Sequence, residues 1–205
     1  MLGVLGGMDI DDDRLIAWAN SAEHLYAADS GADRLIRLGF SPTVVGDFDS
    51  FQSLPNASHL RLVQSLDQES TDCDKLLSLV ALDGFDSITM TCTEGDLPDH
   101  VVATYSSCIA SPLQVRFAFR RGIGWLLKSG GSLSVKTQQG QRVSLVPFAA
   151  CEGVTIEGVA WPLIDEPLQP GGKVSVSNEA TGDLVSARVK SGAALLFVET
   201  HEVSW

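Results

Sequence analysis

Positive charge is scarce in this chain. Its 205 residues carry 14 Lys and Arg against 26 Asp and Glu, a formal net charge of −12. A phosphate backbone needs a basic surface, so this balance argues against nucleic acid as a partner. The same charge repels free ATP, so a nucleotide must arrive with its metal and meet local Lys or Arg. Cysteine is sparse and scattered: Cys73, Cys92, Cys108 and Cys151 form no C-x-x-C pair. His24, His59, His100 and His201 show no zinc-ligand spacing, so a structural zinc site is not expected. Thiols used as small core residues fit a reducing, cytoplasmic setting. Long apolar runs are missing as well. The stretch from Met1 to Met8 is apolar but short, lacks a basic leader and runs into Asp9, Asp11, Asp12 and Asp13. It reads as neither a signal peptide nor a membrane span, and the expectation is a soluble protein with no membrane partner.

What is present divides into two patterns. Through the first half, short apolar runs alternate with helical periods. Leu2–Leu5, Leu25–Ala28, Pro42–Gly46, Leu60–Val63 and Ser87–Thr91 read as strands. Helices are expected near 12–22, over a segment holding Leu35, Ile36 and Leu38 that Gly39 stops, from about Thr71, and over 98–110. Such alternation predicts a doubly wound, mostly parallel α/β sheet. After about Pro112 the helical period disappears. Val115–Phe119, Trp125–Leu127, Ser132–Val135, Val143–Val146, Val174–Ser177 and Ala194–Val198 are β-type runs punctuated by Gly, Pro and Asn. The fold class expected is α/β followed by all-β, with an α/β nucleotide- and metal-binding domain over 1–114 and an antiparallel β-sandwich over 115–205.

Two acidic clusters are the candidates for chemistry. Gly46-Asp47-Phe48-Asp49-Ser50 follows an apolar strand, and Asp67-Gln68-Glu69-Ser70-Thr71-Asp72-Cys73-Asp74-Lys75 leads into a helix. Ligands of open α/β sheets bind beyond the carboxyl ends of the strands, where Asp29 and Asp47 both fall. Gathered carboxylates repel one another unless a cation lies between them, and Mg²⁺ commonly bridges one or two carboxylates to phosphates. A plainer reading stays open for the second cluster. Thr71-x-x-Asp74 has the form of a capping box, and Asp72 in a first helical turn favours the helix dipole. Asp99-His100 behind Pro98 is likewise ordinary helix-start chemistry or part of a site. In the β half, Trp161 beside Pro162 is either packing or a flat platform for an aromatic cation, worth about 1–2 kcal/mol.

These segments resemble the thiamine pyrophosphokinase family. The matches are Ala28-Asp29-Ser30-Gly31-Ala32, Gly46-Asp47-Phe48-Asp49-Ser50, Thr71-Asp72-Cys73-Asp74-Lys75, Asp99-His100, Gly158–Leu163 and Ser177-Asn178-Glu179, in family order over nearly the whole chain. The resemblance implies a homodimeric enzyme that moves diphosphate from ATP to the hydroxyl of thiamine, giving thiamine diphosphate and AMP. It implies Asp47, Asp49 and Asp72 as Mg²⁺ and phosphate ligands, with Lys75 countering phosphate charge. Asp29, Asp67, Asp74, Asp99 and His100 would serve the nucleotide side, and Trp161, Ser177 and Asn178 would bind thiamine. Two positions depart from the family. Ser30 stands where a glycine is usual, and Leu97 stands where the family has Arg. If that Arg contacts phosphate, Arg34, Arg120, Arg121 and Lys128 are the candidate substitutes. Two competing readings follow: a thiamine- or nucleotide-binding protein with lost or weak catalysis, and a Mg²⁺-dependent nucleotide transferase or hydrolase acting on another substrate.

Overall fold

A computed structural model of the chain describes residues 1–49, 51–52, 58–95 and 97–200. Two compact units divide after Arg120.

The first unit is α/β. Its elements in chain order are β1 (Leu2–Val4), α1 (Asp12–Ser21), β2 (Leu25–Ala28), α2 (Asp29–Arg37), β3 (Thr43–Gly46), β4 (Leu62–Gln64), α3 (Asp72–Leu82), β5 (Ser87–Thr91), α4 (Pro98–Ala110) and β6 (Gln114–Phe119). The strands lie in the order β4-β3-β2-β1-β5-β6, and each neighbouring pair is parallel. Strands covered by helices on a parallel sheet read as unbroken apolar runs. Leu2, Val4, Ala27, Val44 and Met90 are accordingly fully buried. Local chemistry starts and stops the helices. Asp11 caps α1 by accepting from the Arg14 amide, Pro98 opens α4, and Gly39 takes a positive φ of 89° just past α2. The chain runs outward from β1 to β4 and then returns to β5 beside β1. That reversal creates a switch point, with a crevice at the carboxyl ends of β1 and β5.

The expected boundary at 114/115 differs from the division after Arg120 because of β6. A β run with no helix after it looks like the first antiparallel strand, yet β6 pairs in parallel with β5 from Ser87↔Gln114 to Thr91↔Ala118. The Thr91 hydroxyl also donates to the Ala118 carbonyl at 3.0 Å.

The second unit is an antiparallel sandwich. Its strands are β7 (Gly122–Lys128), β8 (Ser132–Lys136), β9 (Arg142–Pro147), β10 (Cys151–Glu157), β11 (Leu163–Leu168), β12 (Ser175–Glu179), β13 (Leu184–Arg188) and β14 (Ala193–Glu199). One sheet runs β12-β9-β14-β7 and the other β11-β10-β13-β8. Leu145, Leu196 and Val198 from the first join Ile156, Val185 and Leu168 from the second in one buried cluster. Cross-strand packing of such alternating inward residues is what holds two sheets face to face. Three strands of this unit, β10, β11 and β13, fall where the sequence pattern showed none. Gly153 interrupts β10, and β11 is an edge strand containing Pro167 with shifted register against β10. Proline is tolerated at an edge because no ladder donor is needed there, but it erases the strand pattern.

Candidate active site

A cleft of about 570 Å³ opens at the strand carboxyl ends of the first unit. Every central strand contributes to it through the residues that follow it. Leu5, Gly6 and Gly7 come after β1, Ala28 and Ser30 flank the end of β2, Asp47 follows β3, and Cys92, Thr93 and Gly95 follow β5. The glycines are there because backbones meet. A Cβ on Gly31 would lie 2.6 Å from the Val4 carbonyl oxygen, and one on Gly7 would lie 2.5 Å from that of Cys92. The Gly7 amide donates to the same Cys92 oxygen at 3.1 Å. Three helices start at this cleft. The first turns of α2, α3 and α4 bring Ser30, Thr71 with Asp72, and Leu97 with His100 to its wall. Free amide donors and the positive ends of three helix dipoles suit an anion such as a phosphate chain.

The predicted residues separate under this geometry. Asp47, Asp72, Lys75 and His100 line the cleft. Asp47 sits in a tight turn: its Oδ1 accepts from the Asp49 amide at 3.2 Å and its Oδ2 from Gln68 Nε2 at 3.2 Å. The Asp49 amide first, then Gln68 and the Lys75 charge, hold this carboxyl below its usual range, so it is ionised. Phe48, between the two aspartates, takes a φ of 68°, a costly conformation for a bulky residue and one that clusters at functional sites. Lys75 is 8% exposed, its ammonium 3.6 Å from Asp72 one helical turn earlier. Among the described residues it is the one cationic side chain on the cleft wall.

Asp49, Asp67, Asp74 and Asp99 are not on the cleft wall. Asp49 is exposed and serves Asp47 through its backbone. Asp67 accepts from the Glu69 amide at 3.0 Å, and the Ser70 hydroxyl and that amide lower its pKa. Asp74 completes the capping box, accepting from the Thr71 amide at 2.9 Å and hydroxyl at 2.7 Å while its own amide donates to Thr71 Oγ1. Burial pushes the Asp74 carboxyl up, but the Thr71 bonds outweigh it and the net shift is downward. The capping reading therefore accounts for Asp74, while Asp72 faces the cleft. Asp99 is exposed in the first turn of α4. Asp29 opens α2, and its side chain, like Ser50 and Asp96, lies outside the described residues.

None of the four cations named as substitutes for the family Arg lines the cleft. Arg34 is engaged by Asp12, with Nε–Oδ1 at 2.9 Å, and donates to the Ile10 carbonyl and to Cys92 Sγ. The Arg120 amide donates to Glu94, and Arg121 and Lys128 belong to the second unit, where Arg121 pairs with Glu199. Leu97, 55% exposed, stands on the wall.

The cleft wall also holds residues that the sequence reading missed: Gln68, Ser70, Thr93 and the Gly6-Gly7 pair. Uncharged amides and hydroxyls carry no charge signal, though a glycine pair directly after a buried strand was available as one. Among the described residues no three His, Cys, Asp or Glu side chains converge as a ready metal cage. Mg²⁺ does not require one, since it keeps waters and takes one or two carboxylates plus substrate phosphates. Ionised Asp47 with Asp72 is a donor set of that kind.

In the second unit, Trp161 follows the bridge between Val159 and Ala180, with 65% of its surface exposed. Ser177 sits in a bulge of β12 against β9, at a φ of 57°, with its amide donating to Ser144 Oγ at 3.0 Å. Asn178, beside it, is 3% exposed and hydrogen-bonds the backbone of Trp161.

Two family models match the chain: the thiamin pyrophosphokinase catalytic domain over residues 16–117, and the thiamin pyrophosphokinase vitamin B1 binding domain over residues 132–196. The chain belongs to the thiamin pyrophosphokinase family. It is an enzyme, a diphosphotransferase for thiamine, with the two family domains in the order the sequence resemblance implied. In this thiamin pyrophosphokinase chain the catalytic match spans Asp47, Asp72 and Lys75, and the vitamin B1 match spans Trp161, Ser177 and Asn178. No curated protein matches at the level of sequence. Similar crystal structures include the thiamine pyrophosphokinase from Bacillus subtilis, 19% identical, covering 98% of this chain and 99% of that one with a TM-score of 0.79. The enzyme from Candida albicans is 16% identical, covers 97% and 89%, and has a TM-score of 0.78. The yeast enzyme is 16% identical, covers 97% and 86%, and has a TM-score of 0.76. At these identities the likeness speaks for the fold alone.

Proposed function

We propose that this chain performs its family's reaction with Mg²⁺ and ATP, the α/β unit holding the metal–nucleotide and the β-sandwich holding thiamine. The observation that carries the reading is the strand-end cleft, where an ionised Asp47, Asp72 and the buried-stem Lys75 meet three helix starts. Asp47 and Asp72 would hold Mg²⁺, which when bound neutralises charge on the phosphate oxygens. Lys75 counters phosphate charge, and the helix amides supply donors where the family has an Arg and this chain has Leu97. Gln68 and the Asp49 amide keep Asp47 oriented and deprotonated. The small residues at the switch point let the phosphate chain approach backbone amides closely. Trp161 offers its ring to the cationic heterocycle of thiamine, and Ser177, next to Asn178 in the β12 bulge, belongs to the same proposed thiamine side. Asp29, Asp67, Asp74, Asp99 and His100 complete the proposed nucleotide side. Of these, His100 is on the cleft wall and the Asp67 and Asp74 side chains shape the loop and the helix start.

The working form proposed is a homodimer in the cytoplasm. Exposed Trp161, Ile164, Val174, Val176 and Leu184 on the sandwich support a partner, and four free, buried cysteines fit a reducing compartment. No helix among the described residues is long and apolar enough to cross a membrane.

The test is production of AMP and thiamine diphosphate from thiamine and ATP, with and without Mg²⁺. Equal, metal-dependent formation of both products is expected. Thiamine binding without AMP release under any divalent metal would overturn the enzyme reading in favour of a binding protein, with Leu97 as its cause.

A further inference from the structure

Asn178 has the chemistry of a ligand-binding residue but none of the availability. A carboxamide offers two donor hydrogens and two acceptor lone pairs. All four are occupied within the protein. Oδ1 accepts from the Trp161 amide at 3.1 Å and from the Glu179 amide at 2.9 Å. Nδ2 donates to the Trp161 carbonyl at 2.7 Å and to Ser175 Oγ at 3.2 Å. The side chain therefore pairs with both backbone groups of one residue, as a neighbouring strand would. Around it, the Ala160 amide donates to the Glu179 carbonyl at 2.8 Å and the Thr181 amide to the Gly158 carbonyl at 2.9 Å. The loop carrying Trp161 is thus tied to the end of β12 at the tryptophan and at the residues just before it, while 65% of the tryptophan's surface stays exposed.

From this we infer that Asn178 is a positioning residue, fixing the backbone of Trp161 for thiamine, and is not itself a thiamine ligand. The inference rests on the proposed reading of Trp161 as the thiamine platform. The bulge gives a reason for the adjacent pair Ser177-Asn178. A regular strand alternates its side chains between faces, and an inserted residue at positive φ re-aims one of them. Here Ser177 remains at the surface while Asn178 is turned into the interior. The affinity gained is that of preorganisation, because a loop already held in its bound form loses less freedom on binding.

A double-mutant cycle with an independent structural readout tests this on the full chain. Thiamine Kd is measured by calorimetry for the wild type, Asn178→Ala, Trp161→Ala and the double variant. Exchange of the Trp161 amide hydrogen is followed without thiamine, with the Leu196 amide as a control for the fold of the sandwich. Asn178→Ala is expected to weaken thiamine about tenfold when Trp161 is present, the effect of lost preorganisation of the loop. It should add less than about twofold in the Trp161→Ala background, and Trp161 amide protection should fall at least about tenfold while Leu196 is unchanged. Additive losses, or unchanged Trp161 protection, overturn the inference. If Asn178→Ala does not fold, the near-isosteric Asn178→Asp, which lacks the Nδ2 donors, replaces it with the same expectations. If the wild type fails to bind thiamine, the proposed function falls, and the amide exchange still decides whether Asn178 positions Trp161.

Discussion

The two units build their candidate sites in opposite ways. The α/β unit assembles one from pieces far apart in sequence, because a parallel sheet delivers every strand end and every following helix start to one edge. Its side chains are few and its backbone donors many, which suits a polyanion. The sandwich builds its site from a bulge and a loop stitched to it, so that an exposed ring stands on a rigid backbone. On the proposed reading, a flat cation would meet a face whose aim is set beforehand. Non-glycine residues at positive φ occur at both places, Phe48 and Cys92 in one and Ser177 in the other, with Asp165 a fourth in β11. Such strain persists only where the surrounding structure over-determines it.

Substitutions in the two units should break different steps. Asp47→Asn or Asp72→Asn is expected to lower kcat by at least about 100-fold while thiamine Kd and melting temperature stay near wild type. Steady-state kinetics with calorimetry checks this, and full activity in either variant removes that carboxylate from the metal site. Trp161→Ala should raise thiamine KM about tenfold, leave ATP KM unchanged and hardly alter melting, since the ring is exposed. A melting loss without a thiamine defect would make the ring a packing element.

Within the acidic cluster, Asp74→Ala should cost about 1 kcal/mol of stability through the lost capping box, with turnover kept. Denaturant titration beside an activity assay separates it from Asp72. Ser177→Gly should move stability and affinity in opposite directions. Relief of the positive φ stabilises by about 0.5 kcal/mol, while loss of the hydroxyl weakens thiamine binding.

Acid should sharpen the contrast by the least. Asp12, Asp47, Asp67, Asp74 and Asp83 in the first unit have lowered pKa values, against Asp165 in the second. A carboxyl with a depressed folded pKa contributes stability above its ordinary value of 3.8, and that contribution is lost as pH falls through the folded value. Asp9, raised mainly by burial and by Glu94, works in the opposite sense. Amide exchange in the two units below pH 4 is expected to show the α/β unit loosening first, and simultaneous loosening would count against it.

Much of the fold was legible because periodicity is a local property. The strand Ser87–Thr91 and the helix from Pro98 to Ala110 appear with the bounds expected from their apolar runs and the proline start. One sheet of the sandwich could be read from alternating apolar residues. The other largely could not, since Gly153, Pro167 and the polar faces of β10, β11 and β13 blur the period-two pattern. Asp47 and Asp72 could be named as candidates from charge clustered after a strand and before a helix.

What the sequence determined by itself is therefore the order of α/β and β-rich halves, the acidic segments at strand and helix junctions, and the family they resemble. Composition and spacing suffice for these because each is encoded by neighbours along the chain. Only the tertiary structure decided that Asp72 lines the cleft while Asp74, two residues on, caps α3. It alone put Gln68 on Asp47, Arg34 on Asp12, and the Asn178 carboxamide on the backbone of Trp161. Each of those partners lies 17 to 22 residues away in sequence. Which donor meets which acceptor at that range is set by the packing of elements, and no local pattern carries it.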